Sequence, residues 1–534
     1  MATRESAPNV ADMERGNNRD TTHNEQEPLL GRVNGDGQVR TKEGLKWRCI
    51  GYSLLAVVFG LFAWGCFIVF SRLINGGLGT PRHKHLQGFC DKVKPISGHE
   101  FGERQKRLSE VLLQHQADAY IAEPGANLLH LSDIHWTLSE RPFLLVIQAK
   151  KDETNQVLTR VTVVAPAFEA TRARQKLTPG TSIEIKTWEE AESPYAAVQE
   201  VLDSPWAGPD DQGPSKDSHP VEAQDNNKPP KDRPRRVFLD TDMRHFVAQG
   251  LTQQLSDDFT STMTTPTATT TTTITIPTHV SIAPKAISLL RERKTPHEVE
   301  ILRCVAQATV AVIQTVHSEI RIGMRESQVQ QLLTRAYGSA GLDYQHGGSL
   351  VLFGPDAALP HGSGNDTELV DGMLILIDSG ARLHGYISDI TRTFWAANTR
   401  WGRGRGKQDQ DKNDKLEKIW YLVKSAQMAA LNATRPGVSP ASLDKRARET
   451  IAAGGYGEYF THRLGHGIGL EGHEPPYLNG GNTKEELKTG MTFTNEPGVY
   501  VEGQFGIRLE DMVIVTETGY ELLSGHLAEN PDRP

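Results

Sequence analysis

The chain has 534 residues, 37% of them hydrophobic and 23% charged, with a formal net charge of −8 and four cysteines. Length alone suggests about three or four units, and the composition supports packed cores over most of the chain. The mild acidity excludes a general nucleic-acid binder, which would be basic, and four cysteines form neither a disulfide framework nor a zinc-ligand pattern.

In chain order, residues 1–48 are polar and have the composition of a disordered tail. Residues 49–71 carry no charged side chain and are bracketed by Arg48 and Arg72. A helix of about 20 apolar residues crosses a bilayer. The polar residues that precede it, and its length, set it apart from a cleaved signal peptide. A signal anchor is therefore expected, with a buried core helix as the competing reading. Arg32, Arg40, Lys42, Lys46 and Arg48 flank the run on one side, and Arg72, Arg82 and Lys84 on the other. Positive charge stays cytoplasmic, so the tail is expected in the cytosol and the large domain in a lumen or outside the cell. The sequons Asn365-Asp-Thr367 and Asn432-Ala-Thr434 permit that topology. In the tail, Glu25-Gln-Glu-Pro-Leu29-Leu30 resembles the acidic dileucine signals read by cytosolic sorting adaptors. The resemblance implies a vacuolar, lysosomal or endosomal membrane; a chance Leu-Leu pair is the alternative.

A short stalk follows the apolar run. Residues 86–285 then alternate strand-like and helix-like stretches: Phe143–Ile147 and Val161–Ala165 are apolar runs of buried-strand type, and Arg104–His115 has helical spacing. This alternation predicts an α/β domain, interrupted by low-complexity insertions at 210–236 and 260–275. A helix starts at Thr295: Thr295 is the N-cap, Pro296 takes the first helical position, Glu298 completes a capping box, and Val299, Leu302, Val305 and Ala306 share a face. It opens a second domain at 290–525, with a charged insertion at 402–413. Cys90 and Cys304 are free to pair in an oxidising compartment or to remain two thiols.

The chemistry is concentrated in the second domain. Met373–Asp378 reads as a buried strand ending in a carboxylate, and Asp389 lies in a second strand, Tyr386–Phe394. Gly380 and Gly385 between them suggest a hairpin that brings the two acids together. His466 and His473 lie in a glycine-rich stretch that ends in Glu474-Pro475-Pro476; Glu496 ends a strand at a turn, and Glu510 begins another. Four carboxylates at one locus would cost several kcal/mol each to bury without cations. Two divalent ions would balance them. Carboxylates with one imidazole suit Mn²⁺ or another borderline first-row ion, whereas a lone zinc site uses more His or Cys.

The ordered set Asp378, Asp389, His466, Glu496 and Glu510 resembles the metal ligands of the pita-bread metallopeptidases, which include methionine aminopeptidase, aminopeptidase P and prolidase, with creatinase as a metal-free relative. The resemblance covers residues 290–520 closely. It extends over 100–285 more loosely, through stretches such as Ala119–Asn127, Glu140-Arg-Pro142 and Trp188-Glu189. It implies a creatinase-like α/β domain followed by a pita-bread catalytic domain, together α/β (α+β) in class. It also implies two metal ions, Mn²⁺ foremost, with Co²⁺, Zn²⁺ or Fe²⁺ as alternatives. Asp378 would bind one ion, Asp389 and Glu510 would bridge both, and His466 and Glu496 would complete the second site around a shared hydroxide. Glu496 would be the general base. His361 matches a histidine on the leaving side of the scissile bond, His473 one that donates to the oxygen of the intermediate, and His462 and Arg508 outer positions of the proline-specific branch.

The separate N-terminal domain points away from methionine aminopeptidase, and the complete ligand set away from creatinase. What remains is hydrolysis of the bond between an N-terminal residue and proline in proline-containing peptides, in the manner of aminopeptidase P. The alternatives are an Xaa-Pro dipeptidase (prolidase), hydrolysis of a small amide that is not a peptide, and an inactive membrane-anchored peptide-binding module. The resemblance also implies a homodimer.

Overall fold

The computed structural model describes residues 83–206, 233–256, 261–263, 272–274, 277–344, 348–397 and 407–534. The tail 1–48 with its Glu25–Leu30 motif, the apolar run 49–71 and most of the three insertions lie outside the described residues. Within the threonine-rich insertion, Ser261–Met263 pairs antiparallel with Thr272–Ile274. Residues 407–413, expected in the charged insertion, form the start of the helix Lys407–Ala433. Among the described residues one helix, Pro296–His317, is long and apolar enough to cross a membrane. It is a core helix here: Ile301, Leu302, Val305, Val312 and Val316 are fully buried.

The N-terminal domain is a six-stranded mixed sheet. Ala119–Ala122 pairs antiparallel with Leu144–Lys151 and parallel with Arg235–Leu239, which in turn pairs with Thr278–Ile282. On the other side, Val157–Pro166 runs antiparallel to Leu144–Lys151 and parallel to Ile183–Trp188. The Asp152 carboxylate accepts the N–H groups of Thr154 and Gln156 and closes the hairpin between the two long strands. Tyr120, Ile147 and Val163 face Leu108 and Leu112 of the helix Gly98–Gln114. Ile121, Val146 and Val164 face Val198, Val201 and Leu251 on the opposite side. Burial on both faces explains why these strands read as continuous apolar runs rather than alternating ones.

The domain limits differ from the expected ones in two places. Ile287 and Leu290 of the helix Lys285–Glu292 pack into the N-terminal sheet's core, so that core continues past residue 285. At the other end, Leu86, Cys90 and Ile96 pack with Val305, Ile313 and Leu333 in the core of the second domain, and a disulfide joins Cys90 to Cys304. The segment before the N-terminal domain is thus fastened to the domain that follows it.

The C-terminal half contains antiparallel sheets backed by helices. Leu374–Ser379 lies between Ser349–Phe353 and Ile390–Trp395. A five-stranded sheet has the order Glu474–Leu478, Gly465–Gly467, Thr492–Asn495, Asp511–Val515 and Tyr520–Leu522. A ribbon of Gly498–Val501 and Phe505–Arg508 crosses between Glu496 and Glu510. The Thr295 capping box forms as expected, with Glu298 reaching back to the Thr295 N–H at 2.7 Å. The mixed α and β architecture matches the expected class.

Candidate metal centre

The hairpin expected between Asp378 and Asp389 is present but more elaborate. Leu374–Ser379 and Ile390–Trp395 pair directly, and a small ribbon, Arg382–Leu383 with Tyr386–Ile387, stands between them. Gly385 serves the turn, with φ of +88°. Gly380 serves close approach instead, since a Cβ there would lie 2.0 Å from the Ser388 carbonyl oxygen. Asp389 sits at the break before the last strand, where its N–H meets Met512 Sδ at 3.4 Å. His466 enters from the five-stranded sheet. Gly465 brings its strand so close to Thr494 that a Cβ would lie 1.8 Å from that carbonyl oxygen. The Glu496 N–H donates to the Leu464 carbonyl at 2.8 Å, and the Glu510 N–H to the Thr391 carbonyl at 3.0 Å.

These five side chains meet. Asp378, Asp389 and Glu510 offer ligand atoms within 4.8 Å of one another, as do His466, Glu496 and Glu510, so Glu510 belongs to both groups. Asp389, His466 and His473 form a third group at the same separation. His466 Nδ1 contacts the Gly467 carbonyl at 3.1 Å. A carbonyl only accepts, so Nδ1 carries the proton and Nε2 keeps its lone pair. That lone pair faces Glu496 Oε1 at 3.3 Å and Asp389 Oδ2 at 3.7 Å, the orientation of a metal ligand rather than of a cation.

The electrostatics of the donor set fit divalent ions. Burial, then the repulsion of Glu510 and Asp378, pushes the Asp389 carboxyl far above its ordinary range. Burial with Glu496 and Asp378 does the same to Glu510. Glu496 is pushed up to about 7 by burial, against the pull of Arg508. His466 is held down to about 3 by burial and by His473. The protein alone thus disfavours the charged carboxylates that its fold gathers, and a pair of divalent cations removes that penalty.

Arg508 closes one flank. It is 3% exposed, and its Nη2 donates to Asp378 Oδ2 at 2.6 Å. Its Nε donates to Thr391 Oγ1 at 3.0 Å, and Thr391 Oγ1 in turn donates to Glu510 Oε2 at 2.6 Å. Nη1 reaches Tyr500 Oη at 3.0 Å, and Tyr500 Oη lies 2.7 Å from His462 Nε2. His462 Nδ1 contacts the Arg463 carbonyl at 2.7 Å. The directions follow from the fixed ends: arginine can only donate and a carbonyl can only accept, so Tyr500 accepts from Arg508 and donates to His462. Burial holds His462 down to about 4, with Arg508 adding to the effect, and burial pushes Tyr500 up to about 12. Tyr500, Thr391 and Met512 were not expected from sequence. Tyr500 stands four residues after Glu496 in an ordinary strand pattern, and only its company in space gives it away.

The remaining histidines line the open side. His473 is exposed, and its ring packs edge-on against His466 with centroids 4.1 Å apart. Partial desolvation of the ring against its neighbours lowers its pKa, with Arg463 and, more weakly, His361 contributing. His361 is exposed on the loop after Leu359, next to Pro360, whose carbonyl accepts from Arg508 at 3.4 Å.

Residues 300–517 match the model of metallopeptidase family M24. An uncharacterized peptidase of Schizosaccharomyces pombe is 33% identical over 461 residues, which cover 85% of this chain and 88% of that protein. An Xaa-Pro dipeptidase of Pyrococcus furiosus is 36% identical over 235 residues, 44% of this chain and 64% of the archaeal protein. Among solved structures, the dipeptidase PepE of Mycobacterium ulcerans superposes with a TM-score of 0.62 at 25% identity, over 81% of this chain and 98% of that one. The similarity to PepE extends across both domains, and the fold is that of the pita-bread peptidases. With its ligand cluster, its fold and a relative matched along nearly the whole chain, this protein belongs to metallopeptidase family M24.

Proposed function

We propose that the protein is a two-metal exopeptidase that hydrolyses the bond between an N-terminal residue and proline. The reading rests on one observation above all: five donor side chains form two ligand groups that share Glu510. Asp378, Asp389 and Glu510 would hold one ion, and His466 and Glu496, with the two bridging acids, the other. Two divalent ions there would supply Lewis acidity and lower the pKa of bound water toward neutrality. Glu496, beside His466 Nε2 at 3.3 Å, receives the proton of the attacking water. His473, exposed beside His466, donates to the developing oxyanion, and His361 orients the leaving side. The Arg508–Tyr500–His462 chain keeps Asp378 and Glu510 in place and does not itself touch the reacting atoms.

Cleavage of longer peptides, as by aminopeptidase P, and cleavage of Xaa-Pro dipeptides share this machinery. The dipeptide reading gains support from the names of the P. furiosus and M. ulcerans relatives. The metal is proposed as Mn²⁺ from the oxygen-rich donor set, with Co²⁺, Zn²⁺ or Fe²⁺ as substitutes, and the assembly as a homodimer. The cellular setting is likewise a proposal: residues 49–71 as a single membrane span, the tail cytosolic with Glu25–Leu30 read by a sorting adaptor, and the catalytic domain in a vacuolar, lysosomal or endosomal lumen or outside the cell. The Cys90–Cys304 disulfide suits an oxidising compartment. Asn365 and Asn432 are both exposed; loss of a glycosidase-sensitive mobility shift on replacing them with Gln would support a lumenal domain, and an unglycosylated wild type would count against it.

The enzymatic reading is tested with the full-length protein loaded with Mn²⁺ and given an Xaa-Pro-Xaa tripeptide and an Xaa-Pro dipeptide, with and without chelator. Chelator-sensitive release of the first residue from the tripeptide supports the aminopeptidase reading, and cleavage of the dipeptide alone moves it to the prolidase one. No cleavage by a protein holding two ions per chain overturns both.

A further inference from the structure

His473 stands at the open side of the site on a turn rich in glycine, and no hydrogen bond among the described residues fixes its imidazole. What holds the turn lies underneath. Lys294 and Glu474 form an ion pair at 2.7 Å, with both side chains 1% exposed. Lys294 Nζ also donates to the carbonyls of Arg291 and Glu292, at 2.8 and 3.3 Å. Arg291 reaches Glu471 Oε2 at 2.6 Å and Glu474 Oε2 at 3.5 Å. The turn bearing His473 is therefore gripped on both sides, at Glu471 and at Glu474, by two cations of the segment linking the domains. The fit is tight: a Cβ on Gly469 would lie 2.7 Å from both Glu474 Oε1 and Lys294 Cε.

A buried ion pair is a poor source of net stability, because desolvation offsets much of the attraction, but it fixes geometry strongly. The linker that supplies these cations is attached elsewhere as well. The Lys294 N–H donates to the Gly490 carbonyl at 2.8 Å, and Arg293 bridges to Met491, just before the strand that delivers Glu496. The Gly469 carbonyl accepts the Ile387 N–H at 2.8 Å, two residues before Asp389. The linker thus touches the segments that carry His473 and Glu496, and the turn it grips reaches in turn the segment that carries Asp389. Arg291 lies in the last turn of a helix whose Ile287 and Leu290 pack in the N-terminal domain.

We propose that Lys294 and Arg291 are positioning residues: through Glu474 and Glu471 they set the distance of His473 from the reacting bond, and they tie that distance to the seating of the N-terminal domain. The proposal rests on the peptidase reading for its kinetic consequences, but not for its structural one.

The test uses full-length wild type, Lys294→Met, Lys294→Arg and Glu471→Gln. Metal content, kcat and KM are measured on an Xaa-Pro peptide. The reactivity of His473 toward diethyl pyrocarbonate is measured on metal-free protein by peptide mass spectrometry. For Lys294→Met, kcat is expected to fall about tenfold to a hundredfold, as for a catalytic group displaced by about 1 Å, with KM and metal content nearly unchanged and His473 labelling altered severalfold. Lys294→Arg should recover most of the loss. Glu471→Gln breaks the half-exposed contact and should show a smaller change in the same direction, which keeps the proposal testable if Lys294→Met does not fold. Unchanged kcat and unchanged His473 labelling in folded variants overturn it, as does a loss of activity that follows only lost metal. If the wild type cleaves no Xaa-Pro peptide, the peptidase reading fails while the labelling experiment still decides the positioning one.

Discussion

The disulfide between Cys90 and Cys304 closes a loop of 214 residues, counted by sequence separation, and breaking it should have a measurable cost. In the chain-entropy model a cross-link of this span restricts the unfolded ensemble by about 5 kcal/mol. The unfolding entropy of some 450 residues is about 1 kcal/mol per kelvin, so the midpoint should fall by about 5 °C. The contacts at the site make the native side of the comparison mild: Cys90 is buried among Leu86, Ile96 and Val305, and two serines there lose only a little apolar packing. The assay is thermal unfolding of wild type with and without reductant, beside Cys90→Ser/Cys304→Ser. The double variant should match reduced wild type and be insensitive to reductant. An unchanged midpoint in reduced wild type, with both thiols shown free by alkylation, would refute the argument. It would mean that the segment 83–96 holds its place on the core without the cross-link.

Further outcomes follow from the site. Asp389→Ala removes a carboxylate from two of the three ligand groups, so it should abolish hydrolysis and reduce bound metal below two ions per chain; a variant that keeps two ions by elemental analysis would sink the bridging assignment. Gly465→Ala forces a Cβ to within 1.8 Å of the Thr494 carbonyl and should separate the strands carrying His466 and Glu496. Activity is expected to drop by about a hundredfold or more, and near-wild-type kcat would show that the strands can give without harm. His462 is held down to about 4 while the unfolded chain keeps its ordinary value near 6.5. Between those values the unfolded state binds a proton that the folded state refuses, so stability falls as pH drops through that window, by about 3 kcal/mol in all. His462→Gln should therefore show a shallower loss of melting temperature from pH 7 to 4.5 than wild type, and parallel curves would refute the assignment.

That these donor side chains gather at one place was legible in the sequence through their ordered resemblance to the family's ligands, helped where an acid ends or begins an apolar run and so marks a strand end. Asp378 after Met373–Ile377 and Glu510 before Met512–Val515 are the clearest cases. The Thr295 capping box was legible for a similar reason: it depends on residues three apart. Contacts between distant positions were not. Lys294 and Glu474 are 180 residues apart, and nothing local at either says that they pair. Tyr500 lies in a strand whose register alone decides whether its hydroxyl meets Arg508. The packing of Leu86 and Ile287 was hidden for the same reason, since each joins a core that neither its neighbours nor its composition announces.

The five candidate ligands come from separate sheets: Asp378 and Asp389 from the strands around Leu374–Ser379, His466, Glu496 and Glu510 from the five-stranded sheet and its borders. Ions shared among them would act as rivets between sheets whose clustered carboxylates otherwise repel one another. Occupancy then governs how firmly the catalytic half holds together as well as whether it turns over. Because an ion bound only by the folded form adds stability in proportion to the logarithm of its free concentration, the melting temperature becomes a gauge of the metal supply. A compartment that withdrew the metal would leave a looser protein, open to its resident proteases, and not merely an idle one.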